Sequence, residues 1–167
     1  MNVVRSFQPI FHESCRLLIL GSCPSVESIT RGENYGHPRN RFWPVMAALL
    51  GEPCPALYED KKAMLLRHGI ALWDIVHTCS REGSLDSAIR DVEANDIPAL
   101  LHQCPLIKAI ALNGSTAYRL FLRHIGRIDG ITLLQLPSTS PIPRPGLVTF
   151  DDALNAWREK LAPFLPE

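Results

Sequence analysis

The sequence predicts an α/β fold in which helices cover both faces of a parallel sheet. Three observations carry this expectation. Four short apolar runs, "RLLIL", "GIALWDIV", "LIKAIAL" and "ITLLQL", each lead into a polar loop. Segments with apolar residues at helical spacing lie between them. Strands that alternate with helices require crossovers, and crossovers make neighbouring strands parallel. With 167 residues, 46% of them hydrophobic, the chain is expected to form one domain, 1–167, with a core of useful size.

The elements follow in order. Arg16–Leu20 reads as a buried strand that breaks at "GSCPS". In "FWPVMAALLG", Phe42, Val45, Met46, Leu49 and Leu50 share one side of a helix, and Gly51 stops it. A second helix is expected over Glu59 to His68, followed by a single strand, Gly69 to Val76. After a polar connection, "DIPALLHQC" reads as a helix and "LIKAIALNG" as the third strand. "STAYRLFLRHI" then forms a helix capped by Ser115. The fourth strand, "ITLLQL", enters "PSTSP", and "TFDDALNAWREKLAPFL" closes the chain as an amphipathic helix capped by Thr149.

Composition removes several function classes. No apolar run approaches the ~20 residues of a membrane span, and the N-terminus lacks the apolar core of a signal peptide, so the expected setting is cytoplasmic with no membrane partner. Lys+Arg and Asp+Glu balance at 17 each, which argues against nucleic-acid binding by overall charge but leaves room for a local basic face. The cysteines, at 15, 23, 54, 79 and 104, form no C-x-x-C pair, so no metal is expected. Asp74, His77 and Ser80 lie too close along one strand and its exit to converge as a hydrolase triad.

In an open α/β sheet, chemistry sits beyond the carboxyl ends of the strands. That rule gathers "GSCPS", "DIVHTCS", "NGST" and "PSTSP" at one edge. The loop "ENYGHPRNRFWPV" hangs from the first of these, and its hydrogen-bonding groups beside aromatics suit a pocket for a flat polar ligand. "GSCPS" offers backbone N–H groups to a phosphate or carbonyl oxygen, although an ordinary turn explains it equally well. "PSTSPIPRPG" offers hydroxyls, the apolar tip Ile142 and Arg144, as would a rigid surface loop.

Taken together, "LILGSCPSVES", "YGHPRNRFW", "GIALWDIVHTCSREGSLDSAI", "IKAIALNG" and "LPSTSP" resemble the uracil-DNA glycosylase superfamily, most closely its hypoxanthine-DNA (deoxyinosine) branch. The segments run in order from residue 17 to about 141. The resemblance implies a three-layer α/β/α sandwich on a four-stranded parallel sheet. It also implies a monofunctional glycosylase, needing no cofactor, that flips a deaminated base from double-stranded DNA and hydrolyses its N-glycosidic bond. A monomer is the expected state. Uracil or mismatch excision, and a non-catalytic damaged-DNA binding module, remain the alternatives.

The resemblance also assigns residues. Asn40 matches the catalytic asparagine of the hypoxanthine branch, and His37 is its candidate helper in stabilising the leaving base. Tyr35 matches the aromatic that stacks on the flipped base, a contact worth about 1–3 kcal/mol; Phe42 and Trp43 are expected in the core. Asp74 matches the position that reads the base edge; ionised, it would accept from N1–H of hypoxanthine and reject adenine. Asn113, Ser22, Cys23 and Pro24 complete the base-binding set. Ser25, Arg39, Ser138, Thr139, Ser140, Ile142 and Arg144 are expected to face DNA, with Arg41 beside Arg39 at the phosphates. Two positions depart from better-known relatives: Cys23 stands where they carry Asp or Asn, and Leu136 where several carry His.

Overall fold

The computed structural model describes residues 2–142 and 144–165; Pro143, within the Pro137–Gly146 segment, lies outside the described residues. The chain runs β1 (Val3–Arg5), β2 (Leu17–Gly21), α1 (Val26–Arg31), α2 (Phe42–Leu49), α3 (Tyr58–Arg67), β3 (Ile70–Asp74), β4 (Val76–Ser80) and β5 (Arg90–Ala94). It continues through α4 (Ile97–Gln103), β6 (Ala109–Asn113), α5 (Ser115–His124), β7 (Thr132–Leu136) and α6 (Phe150–Leu161). Four parallel strands form the central sheet in the order β3-β2-β6-β7, with Gly21 of β2 directly opposite Asp74 of β3.

Period-2 alternation along buried strands divides the core into two layers. Leu17 and Ile19 of β2 face Phe42, Trp43, Met46, Met64 and Trp157 from α2, α3 and α6. Leu18 and Leu20 face the other way, onto Ile97, Leu100, Ala117 and Phe121 from α4 and α5. Each fully buried leucine contributes roughly 1.5–3 kcal/mol of transfer free energy. The three-layer sandwich expected from the sequence is therefore the observed fold.

A second, three-stranded antiparallel sheet, β1-β4-β5, was not foreseen. "GIALWDIV" does not form one strand; the chain turns at Ile75, and its two halves join different sheets. The Ile75 and Val76 N–H groups donate to the carbonyls of Gly21 and Ser22, at 2.9 and 3.1 Å. The buried Asn95 amide donates to the carbonyls of Asp74 and Val76, at 2.7 and 3.2 Å, and so fixes the break. A second correction concerns α5. Its N-cap is Gly114, at φ 101°, and Ser115 is the first helical residue. A side chain there would face strain and a Cβ only 3.2 Å from Ser138 Cβ, so the turn out of β6 selects glycine. Thr149 caps α6 as expected, in a reciprocal capping box with Asp152.

Candidate active site

A cleft of about 510 Å³ opens beyond the carboxyl ends of β2, β3 and β6. Its size suits a small ligand. Gly21 forms part of the floor: a Cβ there would fall 2.6 Å from Asp74 Oδ1 and 2.8 Å from the Tyr35 hydroxyl. Only glycine leaves room for both polar groups beside the strand end. Asp74 is 5% exposed, and its Oδ2 is buried with no protein partner. Burial pushes the carboxyl up to about 7; the charge of Asp86 adds to this and that of Arg81 opposes it. Asp74 is thus divided between acid and carboxylate near neutral pH, which corrects the expectation of a purely accepting group.

The "YGHPRN" segment builds one wall. Tyr35 adopts φ 55°, uncommon for a residue with a side chain, and its ring stacks on Phe42 with centroids 4.1 Å apart and planes 20° apart. Phe42 covers one face of the phenol, so one aromatic face remains for the cleft. Burial pushes the Tyr35 phenol well above its usual range, and the Asp74 charge adds to this. His37 Nδ1 accepts from the Arg39 N–H at 3.1 Å, so the neutral ring carries its proton on Nε2. Asn40 Oδ1 accepts from the Phe42 N–H at 2.9 Å, which orients the amide and leaves Nδ2 to donate. Arg39 is exposed at the rim.

Arg41 departs from the expected role at phosphates. Its guanidinium donates to the carbonyls of Thr149 and Val148, at 3.0 and 2.8 Å, and ties the start of α2 to the start of α6. Ser25 is also used by the fold: its Oγ caps α1 by accepting from the Ser28 N–H at 3.1 Å. Thr139, expected to face DNA, is 1% exposed. It is held by Asn113, whose Oδ1 accepts from the Thr139 N–H and whose Nδ2 donates to Thr139 Oγ1, each at 3.1 Å. The same Nδ2 donates to the Tyr35 hydroxyl at 3.1 Å. Both Asn113 amide hydrogens are therefore engaged, and Asn113 offers a base no donor; it clamps the two walls together.

The remaining predicted residues also line the cleft. Ser22 and Pro24 are buried at its base, and burial holds the Cys23 thiol well above its ordinary range, which removes it as a base or nucleophile. Ser138 Oγ accepts from the Ser140 N–H at 3.1 Å, and Ser140 Oγ accepts from the Ile142 N–H at 3.4 Å, so the loop stiffens itself. Ile142 is 54% exposed at the loop tip, and Arg144 is half-buried below it. Leu136 lies in the core.

Two residues that matter escaped the sequence. Asp86, in a short 3-10 turn, lines the cleft and accepts from Ser22 Oγ at 2.9 Å. Arg81 is 1% exposed; its Nη2 donates to the Pro24 carbonyl, while its Nε and Nη1 have no protein partner. Its buried charge sits behind "GSCPS", where it opposes the rise of the Asp74 pKa. Both lie in "SREGSLDS", part of a segment that carries the family resemblance, but nothing in the sequence singles out either residue.

Comparison with known proteins bears on the whole arrangement. Residues 9–161 match the family model described as the uracil DNA glycosylase superfamily. A hypoxanthine DNA glycosylase of Methanosarcina acetivorans is 40% identical over 141 residues, covering 83% of this chain and 87% of that protein. A protein of the same name from Methanosarcina barkeri is 36% identical over 125 residues, covering 73% and 79%. The solution NMR structure of a candidate uracil DNA glycosylase from Methanosarcina acetivorans superimposes with a TM-score of 0.76 at 35% identity, over 95% of this chain and 98% of that one. By these matches, and by the cleft its loops build, this chain belongs to the uracil DNA glycosylase superfamily.

Proposed function

We propose that this protein is a DNA-deoxyinosine (hypoxanthine-DNA) glycosylase, a monofunctional hydrolase acting on the N-glycosyl bond of a deaminated base flipped from double-stranded DNA. It would work as a monomer in the cytoplasm. The observation that carries this reading is the fixed amide of Asn40, lining one cleft together with an aromatic face and a protonatable carboxyl. The names and 36–40% identities of the curated relatives support it.

Flipping costs a few kcal/mol, and less for a mispaired base such as hypoxanthine. The free face of Tyr35 stacks on the flipped purine, returning about 1–3 kcal/mol. Asp74 as a neutral acid donates to O6 while its carbonyl oxygen accepts from N1–H. As the bond to C1′ breaks, negative charge flows onto the purine, and a donor at O6 stabilises it where a carboxylate would repel it. The neutral ring of His37 donates from Nε2 and adds to this. A neutral Asp74 also fits the Watson–Crick edge of adenine, so selection against adenine rests on the higher cost of flipping a correctly paired base. Ile142 wedges into the space the base vacates, while Arg39 and Arg144 meet phosphates.

Single-turnover incubation with duplexes carrying one inosine or one uracil tests the proposal. Hypoxanthine release that leaves an unbroken, alkali-labile strand is the expected result. Preferential uracil release would move the protein to another branch. Tight binding of inosine-containing duplex with no release would make it a damage-binding module.

A further inference from the structure

Hydrolysis needs an acceptor for the proton of the attacking water, and the residues assigned so far supply none. Asn40 is an amide, and its oriented Nδ2 can only donate. His37 already accepts at Nδ1, so its other ring nitrogen is the donor. Burial holds the Cys23 thiol in its protonated form. Glu27 is paired with Arg31 on the surface of α1, at 3.3 Å. Asp74 is buried on the floor against Gly21 and Tyr35, where the base edge belongs. Among the described residues, one carboxylate of the cleft remains.

We infer that Asp86 is the general base of the reaction, holding the attacking water at C1′ and taking its proton. The position follows from two adjoining clefts. Beside the base cleft lies a second, of about 530 Å³, lined by Ser115 and Thr116 at the start of α5 and by Lys160. Asp86, Ser138 and Arg144 line both. A flipped nucleotide has its base at one end, its phosphate at the other and its sugar between them. With the base over Gly21 and the phosphate among these hydroxyls and cations, C1′ falls at the shared wall. Asp86 is exposed there, and Ser22 Oγ donates to its Oδ1 at 2.9 Å, which fixes the carboxylate and leaves Oδ2 to accept from water. It stands close enough to Asp74 and Tyr35 for its charge to raise the pKa of both.

The step balances without a cofactor. A lone pair of the water oxygen forms the bond to C1′, and the C1′–N9 pair departs with the purine. The water proton passes to Asp86, which returns it to solvent, and solvent protonates the released base. The negative charge of Asp86 also favours the oxocarbenium character of the sugar at the transition state. General base catalysis of this kind is typically worth about 10²–10⁴-fold.

The inference rests on the deoxyinosine reading, and the test separates the two. Single-turnover hypoxanthine release is measured for wild type, Asp86→Asn, Asp86→Glu and Ser22→Ala. Affinity is measured in parallel on a duplex carrying an uncleavable 2′-fluoro-arabino inosine. Asp86→Asn is expected to slow release by about 10²-fold or more with affinity within about threefold of wild type, Asp86→Glu to retain more rate than Asp86→Asn, and Ser22→Ala to lose less. Release by Asp86→Asn within threefold of wild type overturns the assignment. So do equal losses in Asp86→Asn and Ser22→Ala, which would reduce the carboxylate to a loop anchor, and an affinity loss as large as the rate loss. No hypoxanthine release by wild type would overturn the deoxyinosine reading itself, and this inference with it.

Discussion

Replacing Asp74 with asparagine removes the carboxyl of the cleft whose ionisation the fold opposes most directly. At the end of β3, burial pushes its carboxyl up to about 7 from the ordinary aspartate value of 3.8. The groups that face it are Asp86, which raises the value, Arg81, which lowers it, and the Tyr35 hydroxyl across Gly21. Because the folded pKa lies above the unfolded one, the folded state binds the extra proton between these values. Stability is fully present below about pH 4 and is lost as pH rises to about 7. At 1.36 kcal/mol per pH unit the loss reaches about 4 kcal/mol, an upper bound because a buried site relaxes and admits water. Asparagine carries no such linkage. The difference in unfolding free energy between Asp74→Asn and wild type, from urea titrations at pH 4.5 and pH 8, is therefore expected to move in favour of the variant by about 2–4 kcal/mol. Taking the difference cancels Asp152 and Glu52, whose pKa values are lowered and whose contributions run the other way. A difference independent of pH would refute the reasoning and leave Asp74 an ordinary ionised carboxylate.

Further outcomes follow from the same geometry. Gly21→Ala sets a Cβ 2.6 Å from Asp74 Oδ1 and 2.8 Å from the Tyr35 hydroxyl; displacing both by about 1 Å is expected to cost on the order of 10²-fold in single-turnover release, read against an unchanged far-ultraviolet spectrum. Ile142→Ala removes the exposed loop tip and is expected to slow release from duplex about tenfold while leaving single-stranded substrate unaffected. Thr149→Ala breaks the capping box of α6 and is expected to lower stability by about 1 kcal/mol, a fall of roughly 2–4 °C in Tm by thermal melting.

The central sheet was legible because its strands are buried on both faces. "LLIL" in β2 and "AIAL" in β6 are continuous apolar runs, the pattern a parallel sheet demands. The antiparallel sheet left no such mark. β1 has three residues, β5 is "RDVEA", and the β4–β5 register shifts twice, so apolar alternation never develops. At the site, "GSCPS", "NGST" and "PSTSP" were gathered by topology alone, whereas of "DIVHTCS" only Asp74 reaches the cleft because Val76–Ser80 join the other sheet. Individual duties were harder to read. Ser25, Thr139 and Arg41 look free to bind DNA in sequence, yet a helix cap, a clamp from Asn113 and two backbone carbonyls use their polar groups. Arg81 was invisible for the opposite reason, since a buried guanidinium inside "SREGS" looks like a solvated one until the Pro24 carbonyl is seen beside it.

Asn40 is the residue on which the account turns, and its substitution separates chemistry from recognition most directly. Wild type and Asn40→Ala would be compared for single-turnover hypoxanthine release and for affinity toward the uncleavable inosine duplex. The account predicts a rate lower by on the order of 10²-fold or more, with affinity changed by less than about tenfold, because stacking on Tyr35 and pairing with Asp74 survive the substitution. Undiminished release by Asn40→Ala would contradict it.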